Sequence, residues 1–381
     1  MIRSELLLTI VVIMAGCTRN QPDNLFSGSD HFTPKKVVYA DGFTLQSGIH
    51  NTLITIKNPW QNARNVEFSY LLSDTLKASR IIDESHTLIK VPVKKVVCLS
   101  TTHIGFIGFL DQAGSIIGVS GKNYVVNEDL RARINNNQLP DVGYDENLNF
   151  ELILNLRPDV VLAYGVSGSV TNTIRKLTEL KIPTLLIAEY LEEEPLAKME
   201  WVKVIGELYG YGNLAAHKFD SVSAMYNQLV QLAGRTEDKP TVLMGLPWRG
   251  TWFVSGGKSY VARLIADAGG QYIFRHLDFK DSRPVSLEKV FEQAMDADFW
   301  LNSGDAVQKR DLLSVDLRFN RLSPVIHDHV YNNNNKMNTM GGNAFFETGV
   351  VEPEIILSDL ICILHPQLLP SHQLKYYRKL Q

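Results

Sequence analysis

The stretch KKVVCLSTTHIGFIGFLDQAGSIIGVSG, residues 94–121, decides the fold. VVCLS and SIIGVSG are short apolar runs, and THIGFIGFLDQAG between them has the length and composition of a helix. Strands apolar on both faces belong to a sheet covered on both sides, and their alternation with helices points to parallel pairing. Outward from there the alternation continues through FELILNLRP, VVLAYG, VTNTIRKLTELK and TLLIAEY, and resumes later in PTVLMGLP, TWFVSGG, VARLIADAGG, LEKVFEQAMD, DFWLNSG and HVYNNNN. From Pro195 to about Ala233 the strand signal vanishes. There Phe219, Val222, Tyr226, Leu229 and Ala233 fall on one helical face, with a break at Gly210-Tyr211-Gly212. The expectation is an α/β protein of two lobes with mainly parallel sheets, 94–194 and 235–381, joined by a long rigid helical bridge, 195–234. Ahead of them, residues 18–93 read as a polar tether and a small N-terminal β element, antiparallel by the alternation in VVYADGFTLQSG, HNTLITIKNP and VEFSYLLSD.

The length of 381 residues suits two domains, and 45% apolar with 21% charged residues is a globular composition. With 38 basic against 41 acidic side chains the net charge is −3, which offers no basic field for phosphates and argues against a nucleic-acid partner. Met1 to Cys17, MIRSELLLTIVVIMAGC, has Arg3 near the start, an apolar run from Leu6 to Met14 and small residues before a cysteine. Such a run is too short to span a bilayer as a helix, so residues 1–17 read as a lipoprotein signal peptide ending in a lipidated Cys17. That places the protein outside the cell or in the periplasm, anchored and not spanning. Cys98 and Cys362 sit in apolar segments and read as small buried residues; the sequence does not say whether they meet.

A weak internal repeat links the lobes. Asn149-Phe150-Glu151 opens a helix that leads through Arg157-Pro158-Asp159 into VVLAYG, and Ser286-Leu287-Glu288 opens one that leads into DFWLNSG. Asn and Ser are good helix caps, and a first-turn glutamate complements the helix dipole. One such glutamate needs no other role, whereas a matched pair also suits two acidic knobs facing a symmetric partner.

Taken in order, KKVVCLSTTHIGFIGFL, SIIGVSG, DVGYDENLNFELILNLRPDVVLAYG, LKIPTLLIAEY, KPTVLMGLPWRGTWFVSGGKSYVARLIADAGG and VVEPEIILSDLICILHP resemble the periplasmic substrate-binding proteins of the iron-siderophore and cobalamin class. These are receptors of ABC importers, and the resemblance covers about three quarters of the chain. It implies a monomer that binds a metal-organic ligand between its lobes and has no cofactor of its own. It also implies docking on a permease dimer, to whose arginines Glu151 and Glu288 correspond as partners, and a membrane anchor that keeps receptor and transporter together. The matching ligand positions are Ser100, Thr101, Thr102, His103, Tyr144, Asp145, Tyr164 and Gly165 in the first lobe. In the second they are Trp248, Arg249, Trp252, Tyr260, Asn302, Asn343, Phe346 and Glu347. Aromatic surfaces with a cation suit the rim and the acid groups of a chelate; Arg249 with several tyrosines suits an anionic ligand, and the resemblance, strongest to iron-compound receptors, leans towards a ferric chelate over haem or a corrinoid. TWFVSG also alternates like a buried strand, which leaves Trp252 and Tyr260 open between cleft and core.

Two other readings compete. A bare zinc or manganese receptor needs three or four converging ligands; His327-Asp328-His329, read as an extended strand, points its imidazoles to opposite sides. An exported α/β hydrolytic enzyme would need a nucleophile turn, a zinc pair or a phosphate loop, and no G-x-S-x-G, H-E-x-x-H or G-x-x-x-x-G-K-[ST] occurs. The expectation is therefore a binding protein and not an enzyme.

Overall fold

A computed structural model describes residues 32–74, 86–144 and 147–381. Cys17 and Asp145 lie outside them. Five strands, β1 (Thr33–Pro34), β2 (Phe43–Ser47), β3 (Asn51–Lys57), β4 (Glu67–Ser73) and β5 (His86–Lys90), form the N-terminal sheet in sequence order. Its first four strands are antiparallel, as the alternation suggests; β5 departs from that reading by pairing parallel to β4.

The first lobe is a parallel sheet of β6 (Val96–Cys98), β7 (Ile116–Val119), β8 (Val160–Ala163) and β9 (Thr184–Leu186), in the order β7-β6-β8-β9. All the β6 and β8 side chains are buried, as expected of strands covered on both faces. The second lobe holds β10 (Thr241–Met244), β12 (Gln271–Tyr272), β14 (Phe299–Leu301), β15 (Val330–Asn332) and β16 (Arg378–Lys379) in the order β12-β10-β14-β15-β16, parallel except for β16. A separate ribbon pairs β11 (Thr251–Ser255) with β13 (Ser282–Ser286).

Three helices, Pro195–Glu200, Val202–Leu208 and Gly212–Gly234, connect the lobes. The last is broken from the second at Gly210, whose φ is 71°. Phe219, Val222, Tyr226 and Ala233 are buried along it, the face that the periodicity marks.

The N-terminal sheet is packed on this bridge and on the first lobe, sharing one apolar core with them: Phe43 meets Trp201 edge to face at 5.0 Å between ring centres. Polar anchors reinforce the contact. Glu200 accepts the Val38, Tyr39 and Ala40 N–H groups and pairs with Lys203 at 2.6 Å. Glu192 accepts from Asp41, Gly42 and the Trp201 indole, and Glu207 from Lys35 and Thr52.

Candidate ligand cleft and docking face

The lobes meet directly as well as through the bridge. The Thr101–Phe109 helix of the first lobe packs on the Ala344–Glu347 helix of the second so closely that a Cβ on Gly105 would stand 1.9 Å from the Glu347 carbonyl oxygen. Beside this contact the Glu347 carboxylate accepts the Val126 and Asn127 N–H groups at 2.6 and 2.7 Å, and Asn338 Nδ2 donates to the Asn123 and Val125 carbonyls. Glu347 is fully buried, and desolvation raises its carboxyl to about 7 against the pull of the two N–H groups. It therefore ties lobe to lobe. The expectation that Glu347 faces ligand is corrected here: the Val126 and Asn127 N–H groups of the first lobe hold its carboxylate in the buried seam.

Next to this tie lies a cleft of about 620 Å³, lined from both lobes and from the start of the bridge. Thr101 and Thr102 enter it from the first turn of their helix, whose N-terminus Ser100 caps. Tyr260, at the first turn of the Tyr260–Asp267 helix, Asn302 after β14, Asn343 and Phe346 line it from the second lobe. The Asn343 side chain is already committed, capping Phe345 N–H and donating to the Asn333 carbonyl. Phe346 is 58% exposed and is free to cover an apolar rim.

Sequence reading missed the floor of this cleft. Glu189 and Lys198 come from AEYLEEEPLAK, a stretch that looks solvated, and Asn333 and Asn334 come from the end of β15. Lys198 Nζ rests 4.2 Å from the centre of the Tyr260 ring. Burial pushes its ammonium down from the usual lysine range, with Glu189 and Glu192 opposing, while burial pushes the Glu189 carboxyl up, against the Thr102 hydroxyl and Lys198. Tyr124, Met244 and Met337 complete an apolar margin. The only sequence signal for the floor was that an acidic run so close to an apolar bridge has to find donors.

Other expected ligand residues stand elsewhere. His103 is fully buried on the inner face of its helix, edge to face with Tyr164 at 6.3 Å, and burial holds its imidazole down to about 3. It belongs to the core because the helix turns position 103 away from the cleft that 101 and 102 line. Trp252 is likewise a core residue, packed against Trp300 and Phe319 with its indole N–H on the Met244 carbonyl. Tyr144 and Tyr164 line a second hollow of about 660 Å³ that lies within the first lobe and shares no lining residue with the cleft.

Trp248 and Arg249 form an exposed turn, the guanidinium 4.4 Å from the indole centre, and neither lines the cleft. The turn brackets Thr251, to which Trp248 is bridged, and Thr251 pairs with Ser286. That register sets the Trp248–Arg249 turn at the end of the ribbon beside the helix bearing Glu288.

Glu151 and Glu288 occupy equivalent first turns. Asn149 Oδ1 accepts the Leu152 N–H at 2.9 Å, and Ser286 Oγ accepts the Lys289 N–H at 3.4 Å. Both carboxylates are exposed, Glu288 with Arg318 at 3.9 Å.

His327 and His329 correct another expectation. Asp328 has a φ of 61°, so the segment turns and is not extended, and the two rings lie on one side, 6.3 Å apart. Their Nδ1 atoms engage the Ser323 carbonyl and the Asp298 carbonyl, and Asp328 pairs with Lys309. Among the described residues no three His, Cys, Asp or Glu side chains converge as a metal site, Cys98 and Cys362 are free thiols, and no helix is long and apolar enough to cross a membrane.

The sequence model of the family described as periplasmic binding protein matches residues 96–333, well over half of the chain, and the protein belongs to that family of ABC-type solute-binding proteins. A protein of Methanocaldococcus jannaschii named an uncharacterized lipoprotein is 25% identical over 79% of this chain and 72% of its own length. Among solved structures, the periplasmic heme-binding protein RhuT from Roseiflexus sp. RS-1 superposes with a TM-score of 0.54 at 21% identity, covering 72% of this chain and 99% of that one. Helicobacter pylori CeuE with Ni(II) bound gives 0.57 at 14% identity, covering 75% and 88%. These likenesses show a shared fold.

Proposed function

We propose that this chain is the lipid-anchored receptor of an ABC importer, exported and held at the membrane through Cys17, that captures a metal-organic complex between its lobes and hands it to a permease dimer. The carrying observation is the cleft of about 620 Å³ lined by both lobes, in the size range of small-ligand sites and with an apolar margin over a polar floor. Names of fold neighbours that mention heme or Ni(II) agree with a metal-containing cargo. The cargo is substrate, not a resident cofactor. Glu151 and Glu288 serve as the two docking carboxylates, one per lobe, and the Trp248–Arg249 turn extends the docking face on the second lobe.

Three helices and the Gly105–Glu347 contact hold the lobes, so closure on binding is small. Release then depends on the permease parting the lobes through the two glutamates. Tryptophan fluorescence of the full-length chain in detergent, titrated with ferric siderophores, haem, cobalamin and free divalent metals, tests the receptor reading. Saturable quenching by one chelate supports it, and quenching by zinc or manganese alone moves the protein to bare-ion binding. Charge reversal, E151K with E288K, abolishes uptake and leaves chelate affinity intact; a normal uptake rate removes the docking role.

A further inference from the structure

Two buried acceptors on the floor of the cleft lack a donor among the described residues. The Glu189 side chain is more than nine-tenths buried, and its Oε2 has no hydrogen-bond partner among the described residues. Asn334 is as deeply buried: its Nδ2 donates to the Ala306 carbonyl at 3.0 Å, which fixes the amide and leaves Oδ1 without a partner. Both residues line the cleft. A buried acceptor without a donor is unfavourable by itself, and a ligand that supplies the donor recovers that cost on binding.

Charge points the same way. Among the described residues, the charged ones lining the cleft are Glu189, Lys198 and Asp305, with no arginine. Lys198 is not a free anion receptor, because its ammonium lies over the Tyr260 ring and faces Glu189 and Glu192. Arg249, the cation that suggested an anionic cargo, stands outside on the exposed turn. An anionic chelate entering here would meet unpaired oxygens and the Asp305 carboxylate with no free cation beside them.

We infer that the cleft selects a metal complex whose periphery carries N–H or O–H donors and no net negative charge, with the Glu189 carboxyl and the Asn334 amide oxygen as the acceptors that read it. The inference rests on the receptor reading and narrows its ligand class. Primary amides, secondary amides and hydroxyls on the rim of a neutral or cationic complex meet the requirement; tris-catecholate complexes and propionate-bearing porphyrins do not.

Calorimetric titration of the full-length chain in detergent, with cyanocobalamin and a neutral ferric trihydroxamate cyclic peptide as donor-bearing probes and a trianionic ferric tris-catecholate and haem as anionic ones, tests it. A donor-bearing probe is expected to bind at least about tenfold more tightly than either anion. Glu189→Gln and Asn334→Ala should each weaken that probe about fivefold or more while the anions change little or gain. Thermal melts accompany each variant, and Asn334→Ser replaces Asn334→Ala if the latter does not fold. Tightest binding by an anion, or wild-type affinity in both variants, overturns the inference and leaves the receptor reading standing. A chain that binds none of the four overturns the receptor reading and this inference with it.

Discussion

One short segment, residues 189–207, sends glutamates to both sides of the bridge, and the two sides differ in how those carboxylates are satisfied. At the back, against the N-terminal sheet, Glu200 holds three backbone N–H groups and an ammonium, and Glu192 holds two N–H groups and an indole. At the front, Glu189 keeps an oxygen without a partner on the cleft floor. A saturated buried carboxylate fastens structure, since removing it strands its donors; an unsaturated one at the edge of a cavity is poised for a ligand. The contrast also gives the N-terminal sheet its role. It is a brace on the bridge, fastened by the saturated glutamates, and among the described residues the cleft lining includes none of its own.

The largest effect should come from the back of the bridge. Glu200→Ala leaves Lys203 buried without its countercharge and three N–H groups without an acceptor, and should lower unfolding stability by about 3–5 kcal/mol in urea titration. Glu192→Ala strands two N–H groups and an indole and removes one of the two carboxylates facing Lys198, while Glu189 stays, with a loss of about 2 kcal/mol in the same assay. If either variant unfolded like the wild type, the saturated side would lose its fastening role. Glu189→Gln should change stability by about 1 kcal/mol or less, because a desolvated carboxyl is exchanged for a neutral group of the same shape; a loss as large as that of Glu200→Ala would erase the contrast.

Glu347 sharpens the comparison through pH. Its folded-state value near 7 lies above the ordinary carboxyl value of 4.5, so the folded protein holds the proton more tightly than the unfolded chain. The stability it contributes is fully present below about 4.5 and is lost as pH rises through about 7. Urea titrations across that window should show a steeper decline with rising pH in the wild type than in Glu347→Gln, and parallel profiles would refute the assignment. The smallest effect belongs to Trp248→Ala, which should alter stability by less than about 0.5 kcal/mol and chelate affinity by less than roughly twofold, since the ring lies outside the cleft. Reduced capture by permease-containing vesicles would be its signature.

Much of the fold was legible because its signals are local. The apolar runs at 96–98 and 160–163, the helical face at 219–233 and the caps at Asn149 and Ser286 are set by side chains a few residues apart, and each appears where the pattern places it. The site was legible only in part. Thr101, Thr102, Tyr260, Asn302, Asn343 and Phe346 line the cleft, whereas His103 and Trp252 turn inward because helix rotation and strand pleat decide which of two adjacent residues faces out. Lys198 and Glu189 were not singled out, since a charged residue on an amphipathic bridge or just before it reads as solvent-facing until the second lobe covers it.

By itself the sequence determined the α/β alternation, the bridge and the paired capped glutamates, all of which follow from periodicity and capping over one or two turns. Tertiary structure alone decided which carboxylates are saturated, that Arg249 stands outside the cleft while Lys198 lies within it, and that Glu347 joins the lobes. Those outcomes depend on which distant backbone N–H groups arrive beside each carboxylate, and the packing of separate elements supplies that information.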